Sequence, residues 1–235
     1  GSLLIHGGGD LDEDFRRLLM NLAGGPNTRF VCIPTALEDG NIGNSMANSL
    51  GFTNLTSIHT RERATANEEN FVSPLLTANA VFIAGGRQPR LADAYLNTRT
   101  QRELSNLLDR GGVIAGTSAG ATIQGSFLVR NQGAPDYNPD VMIDWNYTME
   151  GFGFIKNVAI DQHITKRGRE NDLAEVLKTH PELLGIGIDE ETAIHVQRDE
   201  FKVIGKGLVY VHSGSDLYRK LSPGQKFDLR TRSVI

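Results

Sequence analysis

The residues best suited to chemistry stand in one stretch, Gly111-Gly-Val-Ile-Ala-Gly-Thr-Ser-Ala-Gly-Ala121. An apolar run, Val113 to Ala115, reads as a buried strand. It leads into Gly116-Thr117-Ser118-Ala119-Gly120, and a helix-compatible segment follows. This is the G-x-S-x-G spacing of a nucleophile elbow between strand and helix. A serine on so sharp a turn holds a strained backbone, and the glycines two residues to either side remove side chains that would collide with it. Amides opening the helix point toward where an oxyanion would form in acyl transfer. The bland alternative is a glycine-rich β–α turn with a structural serine, and the motif alone leaves the two readings even.

A serine nucleophile needs a base within hydrogen-bond reach, and the base needs an orienting acceptor. The chain has six histidines. His180 falls at a helix end, and His195 and His212 fall in C-terminal strands, where structural roles are the default. His163 closes a short strand, Val158-Ala-Ile160, and so stands at a sheet rim, where open α/β folds bind ligands. It is preceded by Asp161 and Gln162. It is the best base by pattern, with His6 and His59 left open as strand-end alternatives.

These groups need a scaffold. Strand-like runs at Leu3–Ile5, 29–33, 55–58, 80–84 and 113–115 alternate with helical segments. The first helix carries Phe15, Leu18, Leu19 and Leu22, with Asp10 as its expected cap and Gly24-Gly25-Pro26 as its stop. Such alternation predicts an α/β fold with a mostly parallel, doubly wound sheet in three layers. Residues 131–140 read as a long loop. One helix is expected to carry Arg169, Leu173 and Leu177. Strands at 184–188, 193–196, 201–204 and 208–212 make the C-terminal part β-rich, extending the sheet antiparallel or covering an edge.

The chain of 235 residues is 39% hydrophobic and carries a net charge of −4. Residues 1–235 read as a single domain with a real core. The mixed charge argues against a nucleic-acid binder, and no run is long enough to span a membrane. The single cysteine, Cys32, lies in an apolar strand and reads as core. Gly7-Gly8-Gly9 is a poor dinucleotide loop, because Asp12 stands where the third glycine belongs. No H-E-x-x-H and no Cys/His cluster is present, so neither a metal nor another cofactor is expected. Glu190 and Glu191 look like paired carboxylates. One is expected to orient backbone or support the histidine loop, and the other to be solvated. The expected location is cytoplasmic, with a removed export signal left open.

Four motifs in order carry a resemblance: Gly85-Gly-Arg-Gln88, Gly116-Thr-Ser-Ala-Gly-Ala121, Asp161-Gln-His163 with Arg167-Gly-Arg169, and Gly187-Ile-Asp-Glu-Glu-Thr-Ala193. Together they resemble the cyanophycinase-like branch of the S51 serine peptidases, relatives of aspartyl dipeptidase. The resemblance spans nearly the whole chain and implies a fold like that of class I glutamine amidotransferases. It implies Ser118 as nucleophile, His163 as base, and an acid in the loop after the nucleophile. Asp136 is the best-placed candidate, and Asp140 and Asp144 share its loop. It implies an oxyanion hole from the amides of Gly86 and Ala119, and a pocket lined by Gln88, Asp161, Gln162 and Arg169. The implied activity is hydrolysis of β-aspartyl or other acidic peptides, the partner being a peptide with an aspartyl carboxylate. The alternatives are an α-aspartyl dipeptidase or a non-catalytic binding module. A homodimer follows by fold analogy alone.

Two positions depart from the cyanophycinase pattern. Asp172 replaces the last arginine of an R-G-R-x-x-R run, and Arg87 stands where an acid is common. If both line the pocket, one positive charge is lost and another gained. This points away from cyanophycin and leaves acidic or β-aspartyl peptides. The bland readings are a solvated loop charge for Arg87, and an exposed helix position or internal ion pair for Asp172.

Overall fold

The computed structural model describes residues 1–133, 137–214 and 217–235. Its strands are β1 (Ser2–His6), β2 (Phe30–Ile33), β3 (Leu55–Ser57), β4 (Ala80–Ile83), β5 (Val113–Thr117), β6 (Gly125–Phe127), β7 (Ile155–Gln162), β8 (Leu184–Ile188), β9 (Thr192–Gln197), β10 (Glu200–Gly205), β11 (Val209–His212), β12 (Tyr218–Leu221), β13 (Lys226–Asp228) and β14 (Ser233–Val234). Its helices are α1 (Glu13–Ala23), α2 (Gly43–Ser49), α3 (Glu69–Thr77), α4 (Gln88–Tyr95), α5 (Arg99–Asp109), α6 (Ala119–Thr122), α7 (Ile164–Arg167) and α8 (Asp172–Thr179).

β1, β2 and β4 are buried at every position, as parallel strands covered on both faces must be. Side chains alternate between two cores. Leu4, Phe30, Cys32, Phe82 and Ala115 face Phe15 and Leu19 of α1. Leu3, Ile5, Val31, Ile83 and Ile114 face a larger cluster built with α3, α4 and α5. The resulting nine-stranded sheet has the order β14-β13-β10-β9-β1-β5-β4-β2-β3. Its run from β1 to β3 is parallel, and β9, β10, β13 and β14 are antiparallel.

The expected single sheet divides in two. A second sheet has the order β12-β11-β8-β7-β6, with β6, β7 and β8 parallel. Ile160, Ile186 and Val211 join the larger core, while Ala159 packs with Leu173, Val176 and Leu177 of α8. With a core on one side and α8 on the other, β7 is buried on both faces, and apolar patterning does not say which sheet such a strand joins. β6, three residues long, gave no periodic signal. Two smaller expectations also change. Asp12, not Asp10, caps α1, its Oδ1 accepting from the Phe15 amide at 2.8 Å. The helix expected through Arg169 is two, because Gly168 ends α7 in the left-handed region at φ 63°. Arg169 lies in the connection. Among the described residues, no helix is long and apolar enough to cross a membrane.

Candidate active site

The loops that leave the C-terminal ends of β1, β4, β5, β7 and β8 carry the candidate residues, at the rim where open α/β sheets form clefts. Ser118 sits between β5 and α6 at φ 52°, ψ −112°, a conformation that L-residues adopt only under constraint. The flanking glycines are required by contact. A Cβ on Gly116 would lie 2.2 Å from the Gly120 carbonyl oxygen, and one on Gly120 would lie 2.1 Å from that of Ile83.

Ser118 Oγ lies 2.9 Å from His163 Nε2, and His163 Nδ1 lies 2.6 Å from Glu190 Oε1. The three side chains form one hydrogen-bonded chain. His163, itself at φ 55°, opens α7 just past β7. Glu190 stands two residues past β8, which runs parallel to β7 with Ile188 opposite Gln162. Neighbouring parallel strands thus bring both side chains to one rim. Burial lowers the His163 pKa, opposed by the bond to Glu190 and aided by the Arg167 charge. The lowering favours the neutral ring, which can take a proton at Nε2 while Nδ1–H donates to Glu190.

Three successive carbonyls, from the last residue of β1 onward, hold the parts together. His6 accepts from the Ser118 amide at 3.0 Å, Gly7 from the His163 amide at 2.9 Å, and Gly8 from the Glu191 amide at 2.9 Å. The glycines serve this approach: a Cβ on Gly8 would lie 2.1 Å from His163 Cε1. His6 fixes the loop from within. Its Nδ1 accepts from the Gly8 amide at 3.2 Å and meets Thr117 Oγ1 at 3.0 Å, and burial lowers its pKa to about 4. His59 instead meets Thr35 Oγ1 at 2.9 Å.

Gly85 packs on the serine, since a Cβ there would lie 3.2 Å from Ser118 Cβ. Gly86 is exposed at φ 129°, and a Cβ on it would strike the Ala36 carbonyl. Gly86 follows the glycine packed on the serine, and Ala119 follows the serine itself. Next to them Gln88 is buried, its Nε2 donating to the Val129 carbonyl at 3.2 Å and its Oε1 accepting from Tyr137 Oη at 3.4 Å. Arg87 lies over the Tyr137 ring, 5.1 Å from its centroid.

Asp161 and Arg169 do not line an open surface. Arg130, wholly buried, forks onto Asp161 through Nε (2.8 Å) and Nη2 (2.6 Å), and Nη2 also reaches Asp172 at 2.7 Å. Bonds to these carboxylates outweigh burial and raise the Arg130 pKa. Buried Arg169 donates to the carbonyls of Gln162 (3.3 Å) and Pro139 (3.0 Å). Asp172 is thus in an internal ion pair. Gln162 is also buried, and its Oε1 has no partner among the described residues.

Asp136, the acid expected on His163, lies outside the described residues. Of its loop neighbours, Asp140 reaches Arg169 at 3.4 Å and Asp144 accepts from the Asn146 amide at 2.9 Å. The carboxylate on Nδ1 is Glu190, one of two adjacent glutamates of which the sequence offered one, without saying which, to orient backbone or support the histidine loop. Its partner in sequence, Glu191, pairs with Lys206. No cluster of metal-ligating side chains occurs among the described residues.

A serine on a strand–helix elbow, hydrogen-bonded to a histidine that is hydrogen-bonded to a carboxylate, defines the class of serine hydrolases. Residues 3–204 match the profile of peptidase family S51, and the chain belongs to that family as a serine peptidase. It is similar to a cyanophycinase of Geminocystis herdmanii, at 31% identity over 91% of this chain and 80% of that one. It is similar to a cyanophycinase of a Nostoc species at 30% identity, over 94% of this chain and 76% of that one. Among solved structures, a peptidase from an acI-B1 actinobacterium superimposes with a TM-score of 0.75 at 25% identity, covering 97% and 96% of the two chains. A putative peptidase E from Listeria monocytogenes shares the fold, with a TM-score of 0.61 at 16% identity, covering 87% of this chain and 98% of that one.

Proposed function

We propose that this peptidase cleaves peptide bonds on the carbonyl side of an aspartyl residue, β-linked in the first instance, through a Ser118–His163–Glu190 triad. The observation that carries the reading is the continuous hydrogen-bonded chain from Ser118 Oγ to Glu190 Oε1. Ser118 Oγ attacks the carbonyl carbon and its proton passes to His163 Nε2. The oxyanion lies against the amides of Gly86 and Ala119, and Glu190 supports the imidazolium through Nδ1. The C–N bond then breaks as His163 returns the proton to the leaving amine. Water, deprotonated by His163, opens the resulting ester and frees Ser118.

Glu190 stands here in the role the sequence reading gave to Asp136, because its oxygen is 2.6 Å from Nδ1. The whole chain acts as one catalytic domain in this reading, since one core cluster joins side chains of both sheets. The aspartyl preference is supported by the similarity to the two cyanophycinases. The test is a panel of α- and β-aspartyl dipeptides with Leu, Lys or Arg leaving groups, and cyanophycin beside them. Release of β-linked aspartate, absent with Ser118→Ala, is the expected result. Turnover retained in that variant sinks the triad.

A further inference from the structure

Charge is unevenly satisfied around Ser118. Arg130 takes both nearby buried-side carboxylates, Asp161 and Asp172. Elsewhere three arginines gather: Arg61, Arg87 and Arg90. The charges of Arg61 and Arg87, together with burial, lower the pKa of Arg90, while Glu38 raises it. Arg61 spends its guanidinium on the carbonyls of Leu37 and Glu38, and Arg90 donates to that of Ala36. Arg87 is different. Its amide is fixed to the Ala36 carbonyl at 2.9 Å, and its guanidinium rests on the Tyr137 ring. Among the described residues, that guanidinium has no hydrogen-bonded or ion-paired partner. Arg87 follows Gly85 and Gly86, the first of which packs on Ser118.

We propose that Arg87 is the specificity-determining residue of this peptidase, binding a substrate carboxylate beside the scissile carbonyl. The inference rests on the proposed hydrolysis of aspartyl peptides and names the residue that reads the acid. Stacking on Tyr137 holds the planar guanidinium in place while leaving its edge N–H groups for a bidentate carboxylate. In a β-aspartyl peptide the α-carboxylate carbon is three bonds from the scissile carbonyl carbon. In an α-aspartyl peptide the side-chain carboxylate carbon is also three bonds away. Arg87 therefore selects for the acid and leaves the choice of isomer to whatever meets the ammonium group. A cationic residue in the same place faces repulsion from Arg87, and Asp161 and Asp172 are already paired, both with Arg130 and Asp161 also with Arg169.

The test compares β-Asp-Leu with its analogue whose α-carboxylate is a neutral amide. The expected preference for the acid in kcat/KM is about 10- to 100-fold, the worth of a charge-assisted hydrogen-bonded contact. Arg87→Ala should lower this ratio to near one, through a higher KM for the acid and an unchanged KM for the amide. Arg87→Lys should recover part of it, and Tyr137→Ala should weaken it. The same ratio is measured as Kd by calorimetry on the Ser118→Ala protein and on Ser118→Ala with Arg87→Ala. A ratio near one in the Ser118→Ala protein, or a ratio unchanged by loss of Arg87, overturns the proposal. Acid-selective binding that depends on Arg87, with no turnover of any aspartyl peptide, upholds the role of Arg87 and refutes the proposed reaction instead.

Discussion

Ser118 holds a backbone conformation that costs about 1–3 kcal/mol for a non-glycine residue. Ser118→Ala should therefore cut turnover by at least about 10⁴-fold, measured by single-turnover kinetics, while keeping the fold. Ser118→Gly should be equally inactive and about 1 kcal/mol more stable than Ser118→Ala in urea titration, because glycine takes positive φ without strain. The proposed acid separates by mutation as well. Glu190→Gln should lower kcat by about 10³- to 10⁴-fold, whereas Asp136→Asn should leave it within about threefold. The pH profile has a defined sign. The base acts when neutral, and burial lowers the His163 pKa below its ordinary 6.5. The acid limb of kcat/KM should then have its midpoint below 6.5. Because the Glu190 bond raises that pKa, Glu190→Gln should move the midpoint lower still.

At the scale of elements, the loop after β1 matters most. Gly8→Ala would force a methyl group into the His163 ring, so it should abolish activity while the far-ultraviolet circular dichroism stays native. His6 gives this loop a dependence on pH. Its pKa falls from 6.5 unfolded to about 4 folded, so the unfolded chain binds more protons between those values. The resulting stability is full above pH 6.5 and is lost as pH drops toward 4, about 3 kcal/mol in all. His6→Asn should flatten the urea midpoint over that window. Arg130→Met would strip buried Asp161 of its forked partner, leaving it Arg169 at 3.9 Å, and should cost about 3 kcal/mol. Legibility in the sequence divides along the same lines. The elbow and His163 could be read because strand-end chemistry is local. Glu190 could not be singled out, since its meeting with His163 depends on β7 and β8 being neighbours. Arg130 gave no signal either, because burial of a lone arginine becomes intelligible only with Asp161 and Asp172 around it.

At the scale of the molecule, the parallel strands could be read from their unbroken apolar runs, but their partition into two sheets could not. β7 and β8 look like further members of one sheet, and only α8 covering their far side explains a second layer. The central strands β1, β5 and β4 are buried from end to end or nearly so, and they should be the last to exchange amide hydrogens for deuterium. β3, with only half-buried and exposed positions at the sheet edge, should exchange early.

The three carbonyls at the end of β1 have a consequence for biosynthesis. They precede their partner Glu191 by a long stretch of chain, and β9, which closes the other side of β1, ends at Gln197. A ribosome must translate all of the chain between that loop and Glu191 before the histidine, its carboxylate and the serine can be gathered onto it. With the proposed triad, the nascent peptidase stays inert toward its own emerging chain until Glu190 has been made, and it gains activity in the same step that completes the middle of its sheet.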